Sequence, residues 1–267
     1  MTSERLSSQG LRILREEFAL RELAIVEQVA ELRLMTGKQI GAVHFPTEAG
    51  SNAELAARSC RRTLERLTHS RLLIRLERRV GGIRAGSTSF IYTLGPVGQR
   101  LLAMGGPRRR FREPSATFAD HTLAVTQLVV DLILASRQGR FELLATQSEP
   151  TCWRSFSTVG GRQMLRPDLF VSLGVGDYEH RYFLEIDRGT EHLPAVLRKS
   201  RIYNAYYRSG REQSKHGVFP RVLWIVPDER RLHQVARGLS DYKRLTAGLF
   251  NVATTPRAIE SLAGGES

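Results

Sequence analysis

The spacing of apolar residues divides the chain into two parts with different predicted secondary structure. In the first part, apolar side chains recur every three or four positions in three segments, 21–34, 37–43 and 54–68, a periodicity typical of helices. Thr36 precedes the second of these segments as a helix cap. Two alternating segments then predict strands over 72–79 and 89–94, and a last helix is predicted over 97–104. We therefore expect three helices, a hairpin and a closing helix.

The second part alternates helical and strand patterns. Helices are predicted over 118–136, 191–209 and 230–239. Strands are predicted over 141–146, 164–173, 181–187 and 221–226. The last of these is a continuous apolar run, typical of a buried central strand. This order of elements predicts an α/β domain with a mixed sheet.

Composition sets the expected domain boundaries. The chain has 267 residues, of which 41% are hydrophobic, enough for two domains with ordinary cores. Residues 105–117 contain two glycines, two prolines and four arginines, which predicts an irregular linker. We expect a first domain over 1–104, this linker, a second domain over 118–250 and a flexible tail over 251–267. The two cysteines, Cys60 and Cys152, exclude a disulfide scaffold.

Positive charge is concentrated in one segment. The whole chain carries a net charge of +13, and residues 58–112 hold fourteen arginines against two glutamates, an excess of +12. The rest of the chain is nearly neutral. A local positive field of this kind is expected of a module that binds nucleic acid, and the alternative is a basic face that is merely solvated.

Three helices followed by a basic, glycine-tipped hairpin resemble a winged helix-turn-helix domain. In that family the third helix enters the major groove and the wing lies along the backbone or the minor groove, although winged helices also serve as protein–protein modules. The resemblance implies contacts with double-stranded DNA from two sets of residues. The groove set is Asn52, Arg58, Arg61 and Arg62, and the wing set is Arg78, Arg79 and Arg84.

Acidic residues stand out in the second part. Glu185 and Asp187 lie two positions apart on a predicted strand, so both project from the same face. Asp168 lies on the predicted strand before it, and if these two strands pair as a hairpin, Asp168 approaches Glu185. Carboxylates that converge at a sheet end suit a hard cation such as Mg²⁺ or Mn²⁺ and phosphate chemistry.

These residues also resemble the motifs of the PD-(D/E)XK nuclease family, which has a restriction-endonuclease-like α/β fold. Pro167-Asp168 stands where the family has PD, and Glu185-Ile186-Asp187 stands where it has (D/E)-X-K. The resemblance implies that Asp168 and Glu185 are metal ligands. It places Asp187 at the position of the catalytic lysine, and Lys199 on the next predicted helix is a candidate to replace that lysine. Metal-dependent cleavage and a degenerate, non-cleaving fold neutralised by arginines both stay open.

Taken together, the winged-helix start, the linker and the segments RPDLF, FLEIDRGTEHLPAVLRKSRIYNAYY and VLWIVPDERR resemble the replication-relaxation family. That resemblance implies a DNA-binding protein of a plasmid or integrative mobile element, acting in replication or mobilisation. The alternative is a metal-dependent endonuclease or nickase delivered by the winged helix. A replication protein or relaxase of the same element and a second copy of the chain are further expected partners. No secretory signal or membrane span is evident, which predicts a cytoplasmic protein without membrane contacts.

Overall fold

The structure is a computed structural model that describes residues 8–47, 52–76, 90–103, 115–158 and 160–264. It divides into two compact units, Met1–Val130 and Asp131–Ser267. The division falls inside a helix rather than at the predicted linker, because the first half of that helix bonds to the first unit. The Thr126 hydroxyl donates to the Leu34 carbonyl (2.8 Å) and the Gln39 amide donates to the Leu123 carbonyl (3.3 Å).

The first unit contains helices and a small antiparallel sheet. Its helices are α1 (Ser8–Glu17), α2 (Leu20–Leu32), α3 (Gly37–His44), α4 (Ala53–His69), α5 (Pro96–Ala103) and the start of α6 (Ala116–Arg137). Its strands are β1 (Met35–Thr36), β2 (Leu73–Leu76) and β3 (Ile91–Leu94), in the order β1-β3-β2. The three helices and the strand pair predicted from the sequence are therefore present as α2, α3, α4, β2 and β3.

Local chemistry explains where these elements begin and turn. The Thr36 hydroxyl accepts from Gln39 N (3.2 Å) while Gln39 Oε1 accepts from Thr36 N (2.8 Å), a reciprocal cap that starts α3. A close backbone approach explains Gly95, since a Cβ there would lie 2.2 Å from the Arg71 carbonyl oxygen. Ile25 of α2 and Leu67 of α4 are fully buried and form part of the core of this unit.

The second unit is built on a five-stranded mixed sheet. The end of α6 leads into β4 (Glu142–Ser148), β5 (Arg154–Thr158), β6 (Gly161–Leu165), β7 (Leu169–Val175), β8 (Tyr178–Ile186), α7 (Leu193–Arg208), α8 (Arg211–His216), β9 (Arg221–Val226), α9 (Glu229–Asp241), β10 (Phe250–Thr254) and α10 (Ala258–Leu262). The sheet order is β10-β9-β8-β7-β4. Strands β4, β7 and β8 are antiparallel neighbours, whereas β8, β9 and β10 run parallel. The mixed sheet expected from the sequence is confirmed.

Two predictions for this unit were wrong. The strand predicted over 164–173 is split, because Pro167 has no backbone N–H and the Asp168 side chain is used to accept from Ile186 N (2.8 Å). Its first part belongs to β6, which pairs with β5 as a separate hairpin. The predicted flexible tail is also incorrect for residues 251–264, because β10 pairs with β9 and both Ala258 and Leu262 are buried.

An aromatic core lies between the sheet and α7. The Phe183 ring of β8 lies 5.7 Å from the Tyr203 ring and 5.6 Å from the Phe170 ring, measured between centroids. Trp224 of β9 is 1% exposed and belongs to the same cluster. This core holds α7 against one sheet face, so side chains of α7 meet those of β7 and β8.

Among the described residues, α6 alone is long and apolar enough to cross a membrane by length and composition. Core helices of soluble proteins meet the same criterion, and Val129 and Leu132 of α6 are buried.

Candidate functional site

Asp168, Glu185, Lys199 and Tyr203 form one group at an end of β7 and β8, here called the acid–lysine cluster. Leu169 pairs with Leu184 across the two strands, which brings the flanking Asp168 and Glu185 to the same sheet end. The Lys199 amine of α7 lies 3.3 Å from Asp168 Oδ1 and contacts Glu185 Oε2. Tyr203 follows one helical turn later, and its hydroxyl donates to Glu185 Oε1 at 2.5 Å.

The cluster is largely closed to solvent. Asp168 is 7% exposed, Glu185 1% and Tyr203 0%, whereas the Lys199 side chain retains 26%. Each carboxylate is held by a second donor, since Asp168 Oδ2 accepts from Ile186 N and Glu185 Oε1 accepts from Tyr203. Lys199 is therefore the member of the cluster most accessible from outside.

Charge and burial together set the protonation of the cluster. Burial raises the pKa of the Glu185 carboxyl well above its ordinary range, an effect that Lys199 opposes and Asp168 reinforces. Burial by itself would lower the pKa of Lys199, but contact with Glu185 and Asp168 raises it, so the amine stays charged. Burial and the neighbouring Glu185 raise the pKa of Tyr203, which remains a hydrogen-bond donor.

The structure thus brings Asp168 near Glu185, as expected if the two strands pair, and places the candidate Lys199 against both carboxylates. Two carboxylates at one sheet end can supply oxygen ligands to a divalent cation. In the described part of the chain, however, there is no group of three or more His, Cys, Asp or Glu side chains that could hold a metal ion. A cation at this place would need water or phosphate oxygens as further ligands, and the Lys199 amine would have to move away from at least one carboxylate.

Asp187 shares the sheet face of Glu185 but has a different partner. Its Oδ2 accepts from Arg231 Nε of α9 at 2.6 Å, and its Oδ1 accepts from Gly189 N at 2.7 Å. Asp187 is 2% and Arg231 8% exposed. Arg231 also donates to the Glu191 carbonyl (2.6 Å). The structure therefore places this candidate catalytic residue in a buried ion pair, apart from Lys199.

The candidate DNA-reading residues lie on α4 and differ in their contacts. Asn52 Oδ1 accepts from Glu54 N (3.0 Å) and Leu55 N (3.3 Å), so the side chain caps the helix. Arg58 forms an exposed pair with Glu54 at 3.3 Å. Arg61 and Arg62 are exposed. The wing candidates Arg78, Arg79 and Arg84 lie outside the described residues.

Sequence reasoning missed two residues of this region. The helical spacing of Tyr203 favours packing of the helix on the sheet, with base stacking as the alternative, although its spacing of four from Lys199 places both residues on one face. Arg231 has no comparable signal, since it lies 44 positions from Asp187.

Comparison with known proteins identifies one family. No curated protein and no solved structure matches the chain. The replication-relaxation family matches residues 26–222, more than half of the chain, and the match includes α4 and the whole acid–lysine cluster. The chain therefore belongs to the replication-relaxation family.

Proposed function

We propose that this protein binds double-stranded DNA through α4 and acts in the replication or relaxation of a mobile element. Membership in the replication-relaxation family suggests that role. The observation that carries the DNA-binding proposal is the exposed arginine face of α4. Arg58, Arg61 and Arg62 are spaced by three and four positions, so they project from the same side of the helix.

The buried side of α4 supports this orientation. Cys60, Leu64 and Leu67 are buried, which fixes α4 to the first unit and leaves the arginine face turned outward. A helix fits the major groove of B-form DNA, where arginine pairs with guanine edges or with phosphates. Arg61 and Arg62 are the strongest candidates, because Asn52 is used as a cap and Arg58 is paired with Glu54. Arg78, Arg79 and Arg84 remain the proposed wing contacts.

The test compares two double variants of the full chain by fluorescence anisotropy with a labelled duplex. Arg61→Ala/Arg62→Ala removes two charges from α4, and the control Arg230→Ala/Arg237→Ala removes two exposed charges from α9. We expect the α4 variant to lower the slope of log affinity against log salt by about 2, because each lost phosphate contact contributes roughly one. Equal effects of the two variants would refute the assignment to α4.

A second candidate function is metal-dependent DNA cleavage by the second unit. It is favoured by the Lys199 amine, which meets Asp168 and Glu185 at one sheet end. The order α6, β4, β7, β8, α7, β9 within a mixed sheet is also compatible with the PD-(D/E)XK resemblance. In such a site the two carboxylates would bind Mg²⁺ or Mn²⁺, and Lys199 would stabilise charge that develops on the phosphate. The burial of Glu185 favours the non-cleaving function, which we keep as the leading proposal.

Supercoiled plasmid separates these two candidates. The full chain is incubated with plasmid and with Mg²⁺, Mn²⁺ or chelator, and the nicked and linear products are measured on gels. Cleavage that needs metal and is lost in Glu185→Gln and Lys199→Ala, but kept in the surface variant Lys243→Ala, would establish the nuclease. Binding without cleavage would support a DNA-binding role, in which a replication protein, a relaxase or a second copy of the chain is the further partner.

A further inference from the structure

A cavity of about 690 Å³ lies in the second unit, beside α8 and the ends of α7 and β5. It shares no lining residue with the acid–lysine cluster. Its ionisable lining residues define what we call the cationic pocket: Arg154, Arg181, Glu212, Arg211, Lys215 and His216. Hydroxyl groups of Ser155, Ser209 and Ser214 contribute to the same wall.

Positive charge dominates the cationic pocket. Four arginine or lysine side chains line it against one carboxylate, Glu212. Glu179 lies outside the lining, 3.4 Å from Arg181 Nε, and even with it the cations outnumber the carboxylates four to two. Desolvation and the Arg181 cation lower the pKa of His216, although Glu212 opposes them. The pocket is therefore electropositive at neutral pH.

Two of the cations contact the same aromatic ring. The Arg154 and Arg181 guanidinium groups lie 5.4 and 5.2 Å from the centroid of the same Phe170 ring. Arg154 Nε donates to Glu212 Oε1 at 3.0 Å, and the Tyr206 hydroxyl donates to the same oxygen at 2.7 Å. Glu212 is 4% exposed, and its carboxylate accepts from both of these donors.

The remaining cations are turned toward solvent. Arg211 is exposed and uses Nη1 to donate to the Ser155 carbonyl at 2.7 Å, and Lys215 is exposed. Arg181 differs from them, because its Nε is buried and is ion-paired with Glu179 at 3.4 Å without forming a hydrogen bond in the described part of the protein. Arg154 already donates to Glu212, to Gln147 and to two backbone carbonyls. The donors offered to phosphate oxygens are therefore those of Arg181, Arg211 and Lys215.

We propose that the cationic pocket binds the phosphate group of a compact ligand of nucleotide size. The cavity volume falls within the range of small-molecule sites, roughly 300–1,000 Å³. Donors that converge on a concave space suit one compact anion better than an extended backbone. This proposal is independent of DNA binding by α4, since every residue that carries it lies between Gln147 and His216.

Calorimetric titration of the full chain with pyrophosphate and with AMP tests the proposal, at an ionic strength held constant with sodium chloride. We expect saturable binding of one molecule per chain. Arg211→Ala/Lys215→Ala should weaken it at least about tenfold, as expected for loss of charge-assisted hydrogen bonds. These two side chains are exposed, so the variant is expected to fold. The control Arg230→Ala/Arg237→Ala removes the same charge from α9 and should leave the affinity within about twofold.

Competition identifies the source of the phosphate. If a short duplex displaces pyrophosphate from the wild-type protein, and Arg211→Ala/Lys215→Ala weakens both ligands, the phosphate belongs to DNA. If pyrophosphate and AMP bind equally well with duplex present, the ligand is a small phosphorylated molecule. The first result would overturn the proposal of a compact ligand, and the second would support it. No saturable binding of either small probe, or equal losses in the two double variants, would overturn the proposal.

Discussion

Removing Arg231 should destabilise the second unit strongly, because Asp187 would remain buried without a counter-charge. Asp187 is 2% exposed, and Arg231 Nε lies 2.6 Å from its Oδ2. Breaking a buried pair by removing one partner costs about 3–5 kcal/mol, mainly the free energy of leaving the other charge unpaired. Arg231→Met keeps most of the side-chain length and removes the charge. For a unit of this size the loss should lower the melting temperature by roughly 10 °C or more.

Tryptophan fluorescence during guanidinium unfolding measures the loss of stability in the second unit. Both tryptophans of the chain, Trp153 and Trp224, belong to the second unit, so the signal reports on it alone. The control is Arg237→Met on the same helix. Arg237 is 85% exposed and lies 3.7 Å from Asp241, so its loss should cost below about 1 kcal/mol.

A double variant shows whether the unpaired charge is the cause. Asp187→Asn in the Arg231→Met background removes that charge, while the side-chain amide it introduces keeps an oxygen acceptor for Gly189 N. We expect the double variant to be more stable than Arg231→Met alone, with a coupling of about 2 kcal/mol. An Arg231→Met variant as stable as Arg237→Met, or a double variant that recovers nothing, would refute a structural role for Asp187.

Three further predictions concern the cysteines, a helix cap and a close backbone contact. Burial raises the pKa of Cys152 to about 12 and also raises that of Cys60. At pH 8 both thiols therefore stay protonated, and mass spectrometry should show no reaction of either with iodoacetamide until the chain unfolds. Asn52→Ala should cost about 1 kcal/mol in thermal unfolding of the first unit, whereas Asn52→Asp should keep the cap; equal stability of both would argue against the cap. Gly95→Ala should lower the melting temperature more than Ala57→Gly on the exposed face of α4, because a Cβ at position 95 would lie 2.2 Å from the Arg71 carbonyl oxygen. The reverse order would show that the backbone moves away at little cost.

Local patterns were sufficient for most elements of this protein. Thr36 with Gln39 and Asn52 with Glu54 and Leu55 are capping contacts over two or three positions, so the starts of α3 and α4 follow from residues that are neighbours in sequence. The run at 221–226 predicts a buried strand, and β9 is one. The approach of Asp168 to Glu185 could also be predicted, because it requires only that two successive strands pair.

Tertiary structure decided the features that join distant segments. Residues 251–254 are too few and too mixed in polarity to predict a strand, and they form one because β9 offers a parallel edge for pairing. Asp187 pairs with Arg231 rather than with Lys199, because the packing of α9 against α7 brings an arginine from 44 positions away into reach. By itself the sequence determined most of the secondary structure, the local positive charge and the carboxylate pair, since these depend on short-range spacing. Which side chain neutralises Asp187 depends on the packing of whole helices, and only the tertiary structure decided it.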